Sequence, residues 1–104
     1  MCRVKIELWM WLGNELKGDF ELRSEMRSLR EENVEEGTTI RQLLQHLAKR
    51  YPPIAKNIFS LKENRLYDHI VINYNNKVIS PHIVYDQVLK DGDEVTVLPM
   101  YMGG

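Results

Sequence analysis

The residues best placed to do chemistry in this sequence of 104 residues are the last two, Gly103 and Gly104. Gly104 ends in an α-carboxylate, and neither glycine has a side chain, so this end of the chain is a thin thread. Pro99 has no amide hydrogen and tends to end strand pairing. Fully extended, at about 3.3 Å a residue, the five residues after Pro99 would reach roughly 16 Å. That length is sufficient for a carboxylate to enter the active site of another protein.

The residues just before the glycines are candidate contacts to that protein. They are Leu98, Pro99, Met100, Tyr101 and Met102. Met adapts its shape and Tyr combines a ring with a polar group, and both residue types are enriched at protein interfaces. The alternative is that these side chains pack back on the core of their own domain. Docking is favoured, because an apolar run at a terminus has no following residues to hold it down.

The rest of the sequence carries no second pattern typical of an active site. It has no paired nucleophile and base, no phosphate-binding loop, and His46, His69 and His82 lack metal-ligand spacing. The net charge of -1 comes from 14 basic and 15 acidic residues that are interspersed, which predicts neither nucleic acid nor a membrane as partner. Cys2 is the single cysteine and agrees with a reducing compartment. We therefore expect a cytoplasmic protein with no metal and no bound cofactor.

Two apolar segments show the alternation of half-buried strands, one at each end of the chain. The first contains Val4, Ile6, Leu8 and Met10, and the last contains Val95 and Val97 after a turn at Asp91-Gly92-Asp93. We expect these two strands to lie side by side in the middle of a sheet. Trp9 and Trp11 project from the other face of the first strand. They are either covered by this chain or form a partner-binding surface, and the sequence favours neither.

A helix is predicted to begin at Thr39, because Thr39 and Gln42 have the spacing of a capping box. Its apolar stripe consists of Ile40, Leu43, Leu44, Leu47, Ala48 and Tyr51, and Pro52-Pro53 should end it. A hairpin is predicted around Asn75-Asn76, because Asn tolerates positive φ. The packed segment that follows contains Val84, Tyr85, Val88 and Leu89. The charged segment 17–36 predicts a second strand of uncertain limits and an exposed loop.

This order predicts an α+β domain over residues 1–98, with a mixed sheet of four to five strands and one main helix across one face. A flexible C-terminal tail would occupy residues 99–104. The order of elements, Leu89-Lys90-Asp91-Gly92-Asp93-Glu94-Val95 before the last strand, and the terminal Gly103-Gly104 resemble the MoaD/ThiS family of ubiquitin-like sulfur carriers. The resemblance covers nearly the whole chain and implies a β-grasp fold.

The resemblance also implies a mechanism. An E1-like adenylyltransferase would use Mg-ATP to adenylate the Gly104 carboxylate, and sulfur from a donor such as a cysteine desulfurase would displace AMP. Gly104 would then carry a thiocarboxylate for a sulfur-acceptor enzyme. The chain would not be an enzyme by itself, but it would serve as the small subunit of a sulfurtransferase such as molybdopterin synthase. Glycine at both terminal positions would keep the thread narrow enough for two active-site channels.

The residues leave the pathway open. Molybdopterin (molybdenum or tungsten cofactor) biosynthesis, with a large-subunit-like acceptor, is favoured over thiamin, because thiamin carriers are shorter. Another thio-metabolite or transfer RNA thiolation is an alternative. A second class of function is a protein modifier joined to lysine through Gly104, and a third is an interaction module in which the glycines are incidental. The final sulfur acceptor and the oligomeric state do not follow from the sequence.

Overall fold

The computed structural model describes residues 1–9, 16, 20–24, 27–79 and 81–99. The strands are β1 (Cys2–Leu8), β2 (Glu21–Ser24), β3 (Arg27–Val34), β4 (Phe59–Ser60), β5 (Arg65–Leu66), β6 (Ile70–Tyr74), β7 (Lys77–Val78) and β8 (Glu94–Pro99). The helices are α1 (Ile40–Arg50), α2 (Pro52–Asn57) and α3 (Pro81–Val84).

Within the described residues, six strands form the main sheet in the order β2-β3-β1-β8-β6-β7, and β4 and β5 form a separate pair. As predicted, the first and last strands are neighbours in the middle, and they run parallel. The sheet has more strands than the four to five predicted, because the charged segment forms two strands, β2 and β3, where the sequence predicted one. β3 pairs with β1 along the whole length of β1.

The core lies between this sheet and α1. The residues of β1 that face it, Val4, Ile6 and Leu8, are fully buried, and so are Val95 and Val97 of β8. The predicted stripe of α1 is buried against them: Ile40, Leu43, Leu44, Leu47, Ala48 and Tyr51. Burying a side chain of this size contributes about 1.5–3 kcal/mol relative to leaving it exposed, so this contact is the main source of stability.

The capping box at Thr39 is confirmed. The Gln42 amide donates to Thr39 Oγ1 over 3.2 Å, and the Thr39 amide donates to Gln42 Oε1 over 3.0 Å. α1 ends at Arg50, as predicted from the following prolines. Pro52 and Pro53 in turn begin α2, since the first positions of a helix need no amide hydrogen.

The hairpin is also confirmed, with Asn75 and Asn76 at φ of 49° and 70° between β6 and β7. The segment that follows is packed at Val84 and Leu89, which are buried. Val88 is 42% exposed, against the prediction. It forms a bridge with Thr39 through its backbone, and in extended chain its side chain points away from that of Leu89.

The charged segment is less exposed than predicted. Glu32 is buried at the edge of the core, and its carboxylate lies 2.6 Å from Arg30 Nε and 3.0 Å from Arg50 of α1. A buried carboxylate requires such partners because its charge is costly to remove from water. Glu32 therefore links β3 to the end of α1.

Candidate functional site

The candidate site is the end of β8 and the surface around it. Of the predicted site residues, Trp9, Leu98 and Pro99 are described by the structure. The others lie outside the described residues: Trp11, Met100, Tyr101, Met102, Gly103 and Gly104. The structure thus shows the strand that precedes the last five residues.

That strand, β8, is one of the two central strands of the sheet. β8 lies between β1 and β6. The Lys5 amide donates to the Asp93 carbonyl over 2.9 Å at one end, and the Trp9 amide donates to the Val97 carbonyl over 2.8 Å at the other. Because β8 is bonded along both edges, the point of departure of the last five residues is fixed relative to the core.

Pro99 belongs to the strand and not to the tail that was predicted to begin with it. It pairs with Ile70 of β6 as the last residue of β8. Pro99 is the last paired residue that the structure describes, and proline has no amide hydrogen to donate to a further partner. The strand therefore extends one residue beyond the predicted domain boundary, and residues 100–104 follow it.

The turn before β8 is held by side chains as well as by its glycine. Gly92 has φ of 89°, a conformation that glycine adopts without strain, and its amide donates to the Arg3 carbonyl over 2.8 Å. The Arg3 amide donates in turn to Asp91 Oδ1 over 2.8 Å. These two bonds fix the start of β8 against the start of β1.

Asp93 joins the same turn to the β6–β7 hairpin. Its buried carboxylate accepts hydrogen bonds from Tyr74 Oη, from Asn75 Nδ2 over 3.1 Å and from the Lys90 amide over 2.8 Å. Burial raises the pKa of Asp93, but these hydrogen bonds outweigh it and hold the pKa below its usual value. Burial and the bond to the carboxylate raise the pKa of Tyr74 to about 12.

We call the face of the sheet opposite α1 the open face. The register of the strands shows which residues lie at each of its two ends. Arg3, Lys5, Glu31 and Glu94 are exposed at the end where β8 begins. The other end carries apolar and aromatic side chains together with Arg27. Leu98 pairs with Val71, and continuing the register of β1 and β8 places Trp9 beside Leu98. We call Trp9, Arg27, Val71 and Leu98 the tail-end patch, and each of them is partly exposed.

Trp9 has contacts of its own within the patch. Its indole N–H donates to Glu7 Oε1, and the guanidinium carbon of Arg27 lies 4.7 Å from the centre of its ring. Arg27 Nε also donates to Glu7 Oε1, over 2.7 Å. The chain thus covers part of Trp9 and leaves part of it exposed, and partner binding by the exposed part stays a prediction.

Sequence reasoning missed Arg27 and Val71 as members of this patch, and it missed Glu7 as the residue that binds Trp9. Glu7 had a detectable signal, because residues two apart on a strand share a face and Glu7 precedes Trp9 by two. Arg27 had none, since its position beside Trp9 depends on the register of β3 against β1, which local sequence does not encode.

Two other properties bear on function. Among the described residues, no group of three or more His, Cys, Asp or Glu side chains is placed to hold a metal ion. None of the helices in that part of the chain is long and apolar enough to cross a membrane.

Comparison with known proteins identifies the family. Residues 21–104, which include both terminal glycines, match the ThiS family. The chain belongs to the ThiS family. It is a ubiquitin-like sulfur-carrier protein by family, as its resemblance to MoaD/ThiS proteins implied, and no curated protein matches it significantly.

Solved structures show the same fold at low identity. SAMP1 (small archaeal modifier protein 1) from Haloferax volcanii is 20% identical with a TM-score of 0.70, and the match covers 98% of this chain and 99% of that one. A putative molybdopterin converting factor subunit 1 from Pyrococcus furiosus is 24% identical with a TM-score of 0.66, covering 97% and 100%. A chain of the BexX/CysO complex from Amycolatopsis orientalis is 22% identical with a TM-score of 0.63, covering 97% and 99%. The predicted α+β, β-grasp fold is confirmed.

Proposed function

We propose that this member of the ThiS family carries sulfur on the carboxyl group of Gly104. The observation that carries the proposal is the family match, which runs through Gly103 and Gly104 to the end of the sequence. The fixed departure of the last five residues from β8 supports it. A carrier benefits from a rigid strand directly before its last residues, because the position of the reactive group then depends only on those few residues.

The chemistry begins with the carboxylate, which is a poor acyl donor because its charge is delocalised. An E1-like adenylyltransferase with Mg-ATP joins a carboxylate oxygen to the α-phosphorus and releases pyrophosphate. A sulfur nucleophile then attacks the carbonyl carbon, and AMP leaves with the electrons of the broken C–O bond. With a persulfide donor such as a cysteine desulfurase, a second thiol reduces the acyl disulfide and leaves the thiocarboxylate.

The sulfur must come from outside this chain. Cys2 is the single cysteine of the sequence, and it is buried in the core. A buried thiol is not accessible to react with the end of the chain. The chain's own contribution is therefore the acyl group and the surface around it, and the proposal includes no cofactor bound to this protein.

The test is the intact mass of the protein purified from its native cell, with fragmentation to locate any change. We expect a mass gain that matches exchange of one oxygen for sulfur, located at Gly104. The matched control is the chain lacking Gly104, expressed in the same cell, which should show no such gain. A gain located elsewhere in the chain would contradict the proposal.

For the pathway, we propose molybdopterin biosynthesis, with a large-subunit-like acceptor enzyme and this chain as the small subunit. Support comes from the likeness to the Pyrococcus furiosus protein, which is named as a putative molybdopterin converting factor subunit. Deleting the gene should abolish molybdopterin in the cell, and the wild-type chain should restore it. A requirement for thiamin in the deletion strain, with normal molybdopterin, would place the carrier in the other branch.

A second candidate function is conjugation to lysine side chains, and the likeness to proteins named small archaeal modifier protein 1 favours it. The activated Gly104 would then acylate an amine and form an isopeptide bond. High-mass conjugates linked through Gly104, together with an unmodified free chain, would support this candidate over the carrier. An unchanged phenotype after removal of Gly103-Gly104 would contradict both and favour an interaction module.

A further inference from the structure

Trp9, Glu7 and Arg27 form a cluster in which one carboxylate oxygen has three donors. Glu7 Oε1 accepts from the indole N–H and from Arg27 Nε, and it lies 2.6 Å from Arg27 Nη2. The Arg27 guanidinium in turn lies over the indole ring. The edge of the indole is therefore held by Glu7 and one of its faces by Arg27.

Removing the Glu7 carboxylate from water costs free energy, and a contribution to the stability of the fold does not explain why the protein accepts that cost. The Glu7 side chain is only 18% exposed, so a charge has been removed from most of its water, whereas Arg27 is 43% exposed. Partly buried ion pairs contribute little net stability, because the cost of desolvation offsets the attraction. What the cluster does provide is a single orientation for a large side chain that stays partly accessible.

The cluster lies where a partner must bind if Gly104 is its substrate. The Trp9 amide is bonded to Val97, two residues before the end of β8. Five residues, at about 3.3 Å each, separate Pro99 from Gly104, so the carboxylate is at most roughly 16 Å from the sheet. An enzyme that encloses the carboxylate covers surface around the end of β8, and the tail-end patch is part of that surface.

We propose that Glu7 and Arg27 are positioning residues that hold Trp9 as a fixed anchor for the enzyme that adenylates Gly104. This inference rests on the proposed function and deepens it. Rigid aromatic side chains near the centre of an interface supply much of the binding energy, and fixing their orientation beforehand reduces the entropy lost on binding. The partner surface it fits has an apolar pocket for the indole, with a polar rim beside Arg27.

The experiment measures ATP–pyrophosphate exchange by the E1-like adenylyltransferase of the same cell, with Mg-ATP and increasing concentrations of the full-length chain. Glu7→Gln keeps an acceptor for the indole N–H but removes the charge that holds Arg27, and Arg27→Lys keeps the charge but loses the flat, stacking group. We expect each to raise the KM for the chain about five- to tenfold with kcat unchanged, as when binding alone is lost.

Trp9→Ala should raise the KM at least as much as either of these variants, and combining it with Glu7→Gln should add little, since Glu7 acts through the ring. The matched control is Glu31→Gln, which removes a charge from the opposite end of the open face, where Glu31 pairs with Arg3 at 3.7 Å. That variant should leave both kinetic constants unchanged.

Melting temperatures distinguish positioning from a structural role. A lower melting temperature for Glu7→Gln and Arg27→Lys with an unchanged KM would overturn the inference and leave the proposed function intact. No exchange with the wild-type chain would overturn both. Raised KM values with melting temperatures close to that of the wild type would support positioning.

Discussion

At the scale of single residues, Asp93 connects separate parts of the structure through its carboxylate. It lies between the turn that begins β8 and the β6–β7 hairpin, and its carboxylate accepts from Tyr74, Asn75 and the Lys90 amide. Asn75 completes the link with two further hydrogen bonds to Glu94. Its side-chain oxygen accepts from the backbone amide of Glu94 over 2.8 Å, and its backbone amide donates to the carbonyl of Glu94 over 2.9 Å. The start of β8 is therefore held by a polar network in addition to the apolar packing of Val95.

We predict that Asp93→Asn lowers the free energy of unfolding by about 1–3 kcal/mol near neutral pH, because buried donors lose a charged acceptor. The pKa of Asp93 is lowered in the folded state, so its contribution is present above about pH 4 and is lost as the pH falls through the folded pKa. The difference between wild type and variant should thus shrink in acid. Urea unfolding in neutral and strongly acidic buffer measures it.

The control for this prediction is Asp68→Asn, because the Asp68 side chain is 89% exposed and pairs with Arg65 at the surface. Surface pairs contribute little to stability, so this variant should unfold like the wild type at both pH values. An Asp93→Asn deficit that stays constant down to strong acid would show that the variant acts through packing and not through the charge.

A substitution at Leu98 distinguishes a partner contact at the tail-end patch from packing in the core. It is partly exposed on the open face, whereas its neighbour Val97 is fully buried. We predict that Leu98→Asp raises the KM for the chain in the exchange assay about tenfold, because a charge enters an apolar contact, with only a small change in melting temperature. Leu61→Asp is the matched control, since Leu61 is 40% exposed in the turn between β4 and β5, outside the main sheet. A drop in melting temperature as large as that of Val97→Asp would show that Leu98 belongs to the core.

At the scale of elements, the beginning of α1 allows a test of how much the capping box contributes to the free energy of unfolding. Thr39→Ala removes the side-chain acceptor of the capping box and should lower the free energy of unfolding by about 1 kcal/mol. Thr38→Ala is the matched control, because the hydrogen bonds of Thr38 to Glu35 and Leu89 are made by its backbone. Chemical unfolding of both variants measures the difference, and equal losses would mean that the cap is replaced by another acceptor or by water.

Elements with local signals were the ones that the sequence predicted well. The capping box set the start of α1, and the positive φ that Asn75 and Asn76 adopt set the hairpin. Alternation in the first and last segments identified their buried faces. These features depend on residues within a few positions of each other, so one sequence contains the information.

What the sequence did not predict depends on pairing between distant residues. The two strands of segment 17–36 and the burial of Glu32 follow from the alignment of β3 with β1 and from contact with Arg50. The contact of Arg27 with Trp9 has the same origin. For the candidate site, the terminal glycines were evident from residue type, whereas the surface that accompanies them required the register of four strands.

In the whole molecule, the core and the reactive carboxylate belong to different parts of the chain. A change at Gly104 should therefore affect the chemistry and not the stability. Among the described residues, Val97 is the last residue of the core and Pro99 is the last that pairs, so we expect one alanine added after Gly104 to leave the free energy of unfolding unchanged. It should abolish thiocarboxylate formation, because the acyl group is displaced by about 3.3 Å and attached to a different residue. Intact mass and ATP–pyrophosphate exchange measure the loss. The control is one alanine added before Met1, which is 83% exposed and should tolerate it. Undiminished sulfur loading of the extended chain would show that the reactive group is not the Gly104 carboxylate.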